Sequence, residues 1–173
     1  MSDLTAWSSY FVITGSSAAA LTGLMFVVIT LIAGVERMRS MPDGIRAFNT
    51  PTVVHFCAAL FISATLSAPW HLLLHPAILL ALAGFGGVWY AVHVMRRIRT
   101  TSNYSADVED LVWYALLPLG AYVALVVAAL LLPRNPVDAL FALAGISLLF
   151  IFIGIRNAWD VVTYIATGDY KRP

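Results

Sequence analysis

Long apolar runs separated by short polar stretches form the pattern of this 173-residue chain. A transmembrane helix needs about 20 mostly apolar residues, because each residue adds about 1.5 Å and the hydrocarbon layer is about 30 Å thick. Five runs approach or exceed that length. We therefore expect one transmembrane domain, residues 1–173, folded as an all-α bundle of five helices. The predicted helices are about 8–34, 51–69, 76–95, 108–132 and 136–165.

Composition supports a chain that is solvated by lipid. Hydrophobic residues make up 61% of the sequence and charged residues 11%, whereas a soluble domain has about 25% charged residues. The start of the chain lacks the basic segment of a cleavable signal peptide, so the first apolar run is expected to stay in the membrane. The net charge of +1 gives no indication of a nucleic-acid partner. Cys57 is the only cysteine, which excludes an intrachain disulfide.

Polar residues followed by proline mark two helix starts. Thr50 precedes Pro51 and Asn135 precedes Pro136, and both pairs match a polar N-cap before proline at the first helical position. The fourth helix is expected to begin after Ser105. Inside that helix, Pro118 removes a backbone hydrogen bond and is expected to distort the helix about one turn earlier.

Basic residues set the expected orientation, because cytoplasmic loops of membrane proteins carry an excess of Lys and Arg. One side of the bundle has only Arg134, and the other side has nine basic residues: Arg37, Arg39, Arg46, Arg96, Arg97, Arg99, Arg156, Lys171 and Arg172. The N-terminus is therefore expected outside and the C-terminus in the cytoplasm. The expected location is the cytoplasmic (inner) membrane of a prokaryote.

Polar residues near the cytoplasmic ends of three helices form the first candidate site. Arg156 and Asp160 are four residues apart and can pair along the last helix. His55, His93 and Asn157 are expected at a similar depth on three different helices. Hydrogen bonding between helices accounts for this layer, and a proton relay is an alternative. No resident cofactor is predicted outright, but two facing histidines could also ligate a b-type haem.

His71 and His75 form a second candidate site on the opposite side. Their four-residue spacing suits half of a metal site that a second subunit would complete. Pro69 and Pro76 crowd this segment, which favours a turn with its histidines among the lipid headgroups.

Small residues at four-residue spacing indicate close helix packing. Three such stripes occur, on the first, second and third helices: Gly15, Ala19 and Gly23; Ala59, Ser63 and Ser67, in line with His55; and Ala83, Gly87 and Ala91. Each stripe is expected either to pack inside the chain or to form a contact between subunits. The first helix is the preferred candidate for the subunit contact.

Three classes of function fit these features, and the preferred one is non-enzymatic. The first is a homo-oligomeric channel or permeation path in the lipid bilayer, lined by Ser, His and Asn. The second is a haem- or quinone-associated redox subunit that uses His55 and His93, and the third is a scaffold or accessory subunit. No Asp, Glu or Lys lies at the centre of a predicted span, which disfavours a carboxylate-driven transporter. The sequence leaves open whether an ion or a small molecule is bound.

Overall fold

The computed structural model describes residues 2–33, 44–100 and 111–167, and their regular secondary structure is entirely helical. Helix α4 consists of a π-helical turn, Val112–Leu116, followed by an α-helix, Leu117–Leu131. The other helices are α1 (Ser2–Ala33), α2 (Gly44–Ser67), α3 (Leu74–Thr100) and α5 (Pro136–Thr167). The predicted all-helical class is therefore confirmed for the part of the chain that the structure describes.

The helices pack in an order that differs from their order along the chain. Helix α2 lies between α1 and α5, and α4 lies between α5 and α3. Helices α2 and α3 touch little, although only residues 68–73 join them. The main partner of α3 is α4. Helix α2 is thus an inner element, in contact with α1 on one side and α5 on the other.

Ring contacts and hydrogen bonds between helices show which helices run parallel and which run antiparallel. Trp7 packs on Phe141 and Tyr10 binds the carbonyl of Ala144, so α1 and α5 run parallel. Helix α4 is antiparallel to α5, because Tyr122 packs on Phe150 and Tyr114 reaches Asn157. We call the end at which α3 and α5 finish the basic end. The end with the connections 68–73 and 132–135 is called the turn end.

Four helices in the described residues are long and apolar enough to cross a bilayer, as expected of a membrane protein. Their candidate spans are Leu4–Thr30, Leu74–Arg96, Val112–Leu131 and Pro136–Thr163. The apolar part of α2, Pro51–Ser67, is shorter than these. Large apolar side chains such as Phe85, Phe141 and Phe152 are exposed on the outside of the bundle. A surface of this kind suits contact with lipid rather than water.

The predicted helix starts have different outcomes. Helix α5 begins at Pro136 as predicted, and the Asn135 amide donates to the Asp138 carboxylate at 2.6 Å. The predicted start at Pro51 is wrong, because α2 begins at Gly44 and continues through this proline. Proline lacks the N–H that would bond one turn back, yet the helix continues on both sides of it. The expected start after Ser105 lies outside the described residues.

Helix α4 is distorted where Pro118 predicts it. The π-helical turn Val112–Leu116 ends two residues before the proline, and the Leu117 N–H bonds to the carbonyl of Val112. A π-turn adds a residue to the helical repeat, so the chain accommodates the missing N–H and the bulk of the proline ring. The turn contains Tyr114, which it directs into the bundle.

The stripes of small residues on α3 and on α1 have different neighbours. On α3, Gly87 and Ala91 are buried and Ala83 is half-buried, and a Cβ atom on Gly87 would overlap the Tyr122 ring. On α1, Gly15 is buried against Ser63 of α2, whereas Ala19 and Gly23 are exposed. The α3 stripe thus packs inside the chain, and most of the α1 stripe faces outward.

Adjacent glycines on α3 provide a matched test of this packing. Gly87→Ala places a methyl group where the buried Tyr122 ring lies. The methyl group of Gly86→Ala has no described atom within 4 Å. Both substitutions gain about 0.5–1 kcal/mol of helix propensity, but overpacking costs about 1–3 kcal/mol. We expect Gly87→Ala to lower the thermal midpoint in detergent and Gly86→Ala to raise it slightly. Equal shifts for the two variants would contradict the packing of α3 on α4.

Candidate functional site

Five buried polar or aromatic side chains lie on α2, α4 and α5, and two contacts join four of them in pairs, His55 with Tyr122 and Tyr114 with Asn157. Three of them are almost completely shielded: Thr52 and Asn157 are 0% exposed and His55 is 1% exposed. We call the whole set the inner cluster, and its members are Thr52, His55, Tyr114, Tyr122 and Asn157. None of its members is an Asp, Glu, Lys or Arg, so the cluster offers hydrogen bonds without a formal charge.

His55 is held by an aromatic partner on each of two other helices. Its Nδ1 lies 3.3 Å from the Tyr122 hydroxyl of α4, and its ring stacks on Phe150 of α5 at 5.9 Å with an interplanar angle of 17°. The second ring nitrogen, Nε2, is buried and makes no hydrogen bond with any described residue. A buried polar atom of this kind costs free energy unless a partner satisfies it. Nε2 is thus the first group here that can bind a ligand.

The side-chain amide of Asn157 is likewise buried without a hydrogen bond. Its Nδ2 and Oδ1 atoms are both buried and without a hydrogen bond in the described part of the chain. The Tyr114 hydroxyl donates to its main-chain carbonyl at 3.4 Å, which leaves the side-chain amide unused. Asn157 therefore adds two donors and one acceptor to the cluster.

The contact between Phe56 and Gly154 explains how α2 and α5 come close together beside the inner cluster. A Cβ atom on Gly154 would overlap the Phe56 ring, so the ring packs directly on the α5 backbone. Gly154 lies one turn before Asn157 on the same face. The small residue brings α2 near α5 at the level where both helices carry their buried polar side chains.

A second set of polar groups lies toward the turn end, and we call it the outer cluster: Tyr10, Thr14, Ser63 and Ser147. The Thr14 and Ser63 hydroxyls are 3.0 Å apart between α1 and α2. The Tyr10 hydroxyl donates to the carbonyl of Ala144 at 2.8 Å, and the Ser147 hydroxyl donates to a carbonyl of its own helix. The hydroxyls of this cluster therefore have partners.

Apolar residues separate the inner cluster from the outer cluster along the buried faces of α5 and α2. On α5 the buried residues Ser147, Phe150 and Asn157 follow one another along one face. On α2 the corresponding residues are His55, Ala59 and Ser63, all at most 1% exposed. Phe150 and Ala59 thus form an apolar barrier between two polar sections inside a single chain.

The charged pair near the inner cluster lies at the surface. Arg156 and Asp160 form the ion pair that their spacing predicts, and both side chains are about one-third exposed. The Arg156 guanidinium also lies 5.7 Å from the centre of the Trp113 ring. Trp159 is exposed, as suits a residue at the membrane interface. Of this polar stretch, only Asn157 is completely buried.

The remaining histidines lie elsewhere. His93 is exposed on α3 and stacks on Trp89 at 5.8 Å, so the structure does not bring it together with buried His55. A b-type haem ligated by both residues, one of the alternatives from the sequence, stays a prediction. His71 and His75 are both exposed, and His75 packs beside Trp70. Within the described ranges, no three His, Cys, Asp or Glu residues group as metal ligands.

Tyr114 and Tyr122 are site residues that the sequence pattern did not identify. Tyrosines in an apolar helix are commonly packing residues, and neither lies beside a charge or a histidine in the sequence. Their eight-residue separation, which places them on one face of a helix, is the signal that could have paired them. Gly84 and Gly87 of α3, opposite Tyr122, were the complementary signal.

Comparison with known proteins adds no assignment, because no family model, no curated protein and no solved structure matches the chain. The function must therefore be argued from the chemistry of the inner cluster and from its place in the bundle.

Proposed function

We propose that this is a non-enzymatic, multi-pass membrane protein that lets a small species permeate through the interior of each chain. The observation that carries the proposal is the pair of buried polar groups without hydrogen-bond partners in the described residues, His55 Nε2 and the Asn157 amide. Hydrocarbon offers such groups no hydrogen bond, so polar side chains in membrane helices commonly face a partner or a polar pathway.

The order of polar and apolar side chains supports a path that runs along the bundle. The outer cluster begins it, Phe150 and Ala59 interrupt it, and the inner cluster continues it toward the basic end. A short apolar constriction between two polar sections is a known way of gating a pore, because water leaves the narrow segment.

The position of the polar residues favours a path within one chain over one between chains. His55, Ser63 and Asn157 are buried inside the fold, whereas the outer surfaces of the helices are largely apolar. A pore between subunits would be lined by those outer surfaces. We propose that the basic end faces the cytoplasm, in agreement with the excess of arginines beside it.

Assembly is a separate part of the proposal. The outward face of α1 has Ala19 and Gly23, and a Cβ atom on Gly23 would have no described residue within 4 Å. Small residues that the fold itself does not use allow a second helix to approach closely. We propose that two or more copies of the chain associate through this face, each with its own path.

Permeation is tested by reconstituting the purified protein into liposomes. We expect faster osmotic swelling or a larger membrane current than in empty liposomes, while a trapped dye of several hundred daltons stays inside. Retention of the dye excludes general leakage of the bilayer as the cause. Neither swelling nor current above that of empty liposomes, with water, neutral solutes or ions, would contradict the proposed function.

Assembly is tested by Gly23→Leu, because Gly23 is exposed and a Cβ atom there has no described residue within 4 Å. We expect the variant to stay folded but to dissociate into smaller species at a lower detergent concentration than the wild type, measured by native mass spectrometry. Gly145→Leu on α5 is the matched control, since Gly145 is also exposed with open space around it. Unchanged assembly in Gly23→Leu, or equal loss in both variants, would contradict the α1 contact.

A further inference from the structure

We infer that the inner cluster binds a small neutral molecule that both donates and accepts hydrogen bonds, such as urea or a primary amide. The inference rests on the proposed function and names the class of species that permeates. Two side chains that are at least nine-tenths buried point to this ligand, His55 and Asn157. Their unpartnered atoms are on α2 and α5, two helices that pack against each other, and we place the ligand between them.

The amide of Asn157 complements an amide or urea ligand. Its Oδ1 accepts from an N–H group and its Nδ2 donates to a carbonyl oxygen, and the structure shows neither atom in another hydrogen bond with a described residue. A ligand that only accepts, such as a quinone carbonyl, would leave Oδ1 buried without a partner. A ligand that does both satisfies the whole side chain.

The His55–Tyr122 pair can adjust to either half of such a ligand. When the Tyr122 hydroxyl donates to Nδ1, the proton of neutral His55 is on Nε2, which then donates to the ligand. When Nδ1 donates to the hydroxyl instead, Nε2 accepts. Rotation of the Tyr122 hydroxyl and a change of the His55 tautomer thus let Nε2 donate to a carbonyl oxygen or accept from an N–H group of the ligand.

The absence of charge in the inner cluster disfavours an ion. Burying an ion is costly unless an opposite charge or a full set of polar ligands compensates it, and the five members of the cluster provide no formal charge. Arg156 lies next to Asn157 in sequence, but its guanidinium pairs with Asp160 and lies near Trp113. The neutral groups at the centre therefore select a neutral ligand.

Burial limits the size of the ligand. Thr52, His55 and Asn157 are each at most 1% exposed, and the Phe56 ring closes the space beside Gly154. Such a site suits a molecule of a few non-hydrogen atoms rather than a sugar or an amino acid. Phe150, which stacks on His55, provides an apolar surface for the flat face of an amide.

The experiment measures the flux of urea and acetamide into proteoliposomes by stopped-flow light scattering, together with water flux and ion current. We expect both solutes to enter faster than into empty liposomes, without an ion current. His55→Phe and Asn157→Leu should each lower solute flux by about fivefold or more, since each removes a hydrogen bond to the solute. His93→Phe is the matched control, because His93 is exposed on α3, and it should leave the flux unchanged.

Asn157→Leu leaves intact the hydrogen bond from Tyr114 to the main chain, so it remains informative if His55→Phe fails to fold. Water flux without urea or acetamide flux, or an ion current, would overturn this inference and leave the proposed function standing. Solute flux that is equally fast in the wild type and in a folded Asn157→Leu variant would also overturn it. No flux of any species would overturn the proposed function itself.

Discussion

The arrangement of the bundle depends on one side chain, Tyr122, which contacts three other helices. Its ring packs against the backbone of Gly87 on α3, where no Cβ atom could fit. The same ring packs on Phe150 of α5, with 4.6 Å between ring centres. Its hydroxyl lies 3.3 Å from Nδ1 of His55 on α2. The residue therefore joins close packing, which holds helices together in lipid, to the polar chemistry of the interior.

The apolar solvent determines where polar groups can lie. Lipid does not drive helices together as water does, so association relies on close contact and on hydrogen bonds that hydrocarbon cannot replace. The glycines that face Tyr122, Phe56 and Ser63 provide the close contact, and the hydroxyl, imidazole and amide groups provide the hydrogen bonds. The same packing buries His55 and Asn157, whose Nε2 atom and side-chain amide make no hydrogen bond with a described residue. The close packing of the helices thus creates a candidate ligand site.

Hydropathy and proline positions allowed the helices to be predicted from sequence, because both act locally. The start at Pro136 and the distortion before Pro118 agree with the structure, whereas Pro51 did not start a helix. The partners of each helix were not predictable, since apolar residues surround every helix and give no clear inward face. For that reason His55 and His93 appeared equivalent in sequence, although one is buried and the other exposed.

The candidate site was predictable only in part. His55 and Asn157 were identified because polar residues are rare in these helices. Tyr114 and Tyr122 were missed, because a tyrosine fits an apolar core as well as a polar cluster. Their role depends on the order in which the helices pack, with α4 beside α5 and away from α1. That order follows from long-range contacts, which no local pattern in the sequence encodes.

The central claim is that a polar path runs inside each chain, and the most direct test is the accessibility of single cysteines to a small, water-soluble thiol reagent. In a Cys57→Ser background, cysteine is introduced at Ser63 or Asn157 inside the bundle, or at Val127 on its outer surface. The account predicts that the two interior cysteines react in proteoliposomes and that the one at Val127, shielded by lipid, does not. Reaction at Val127 but at neither interior position would contradict it.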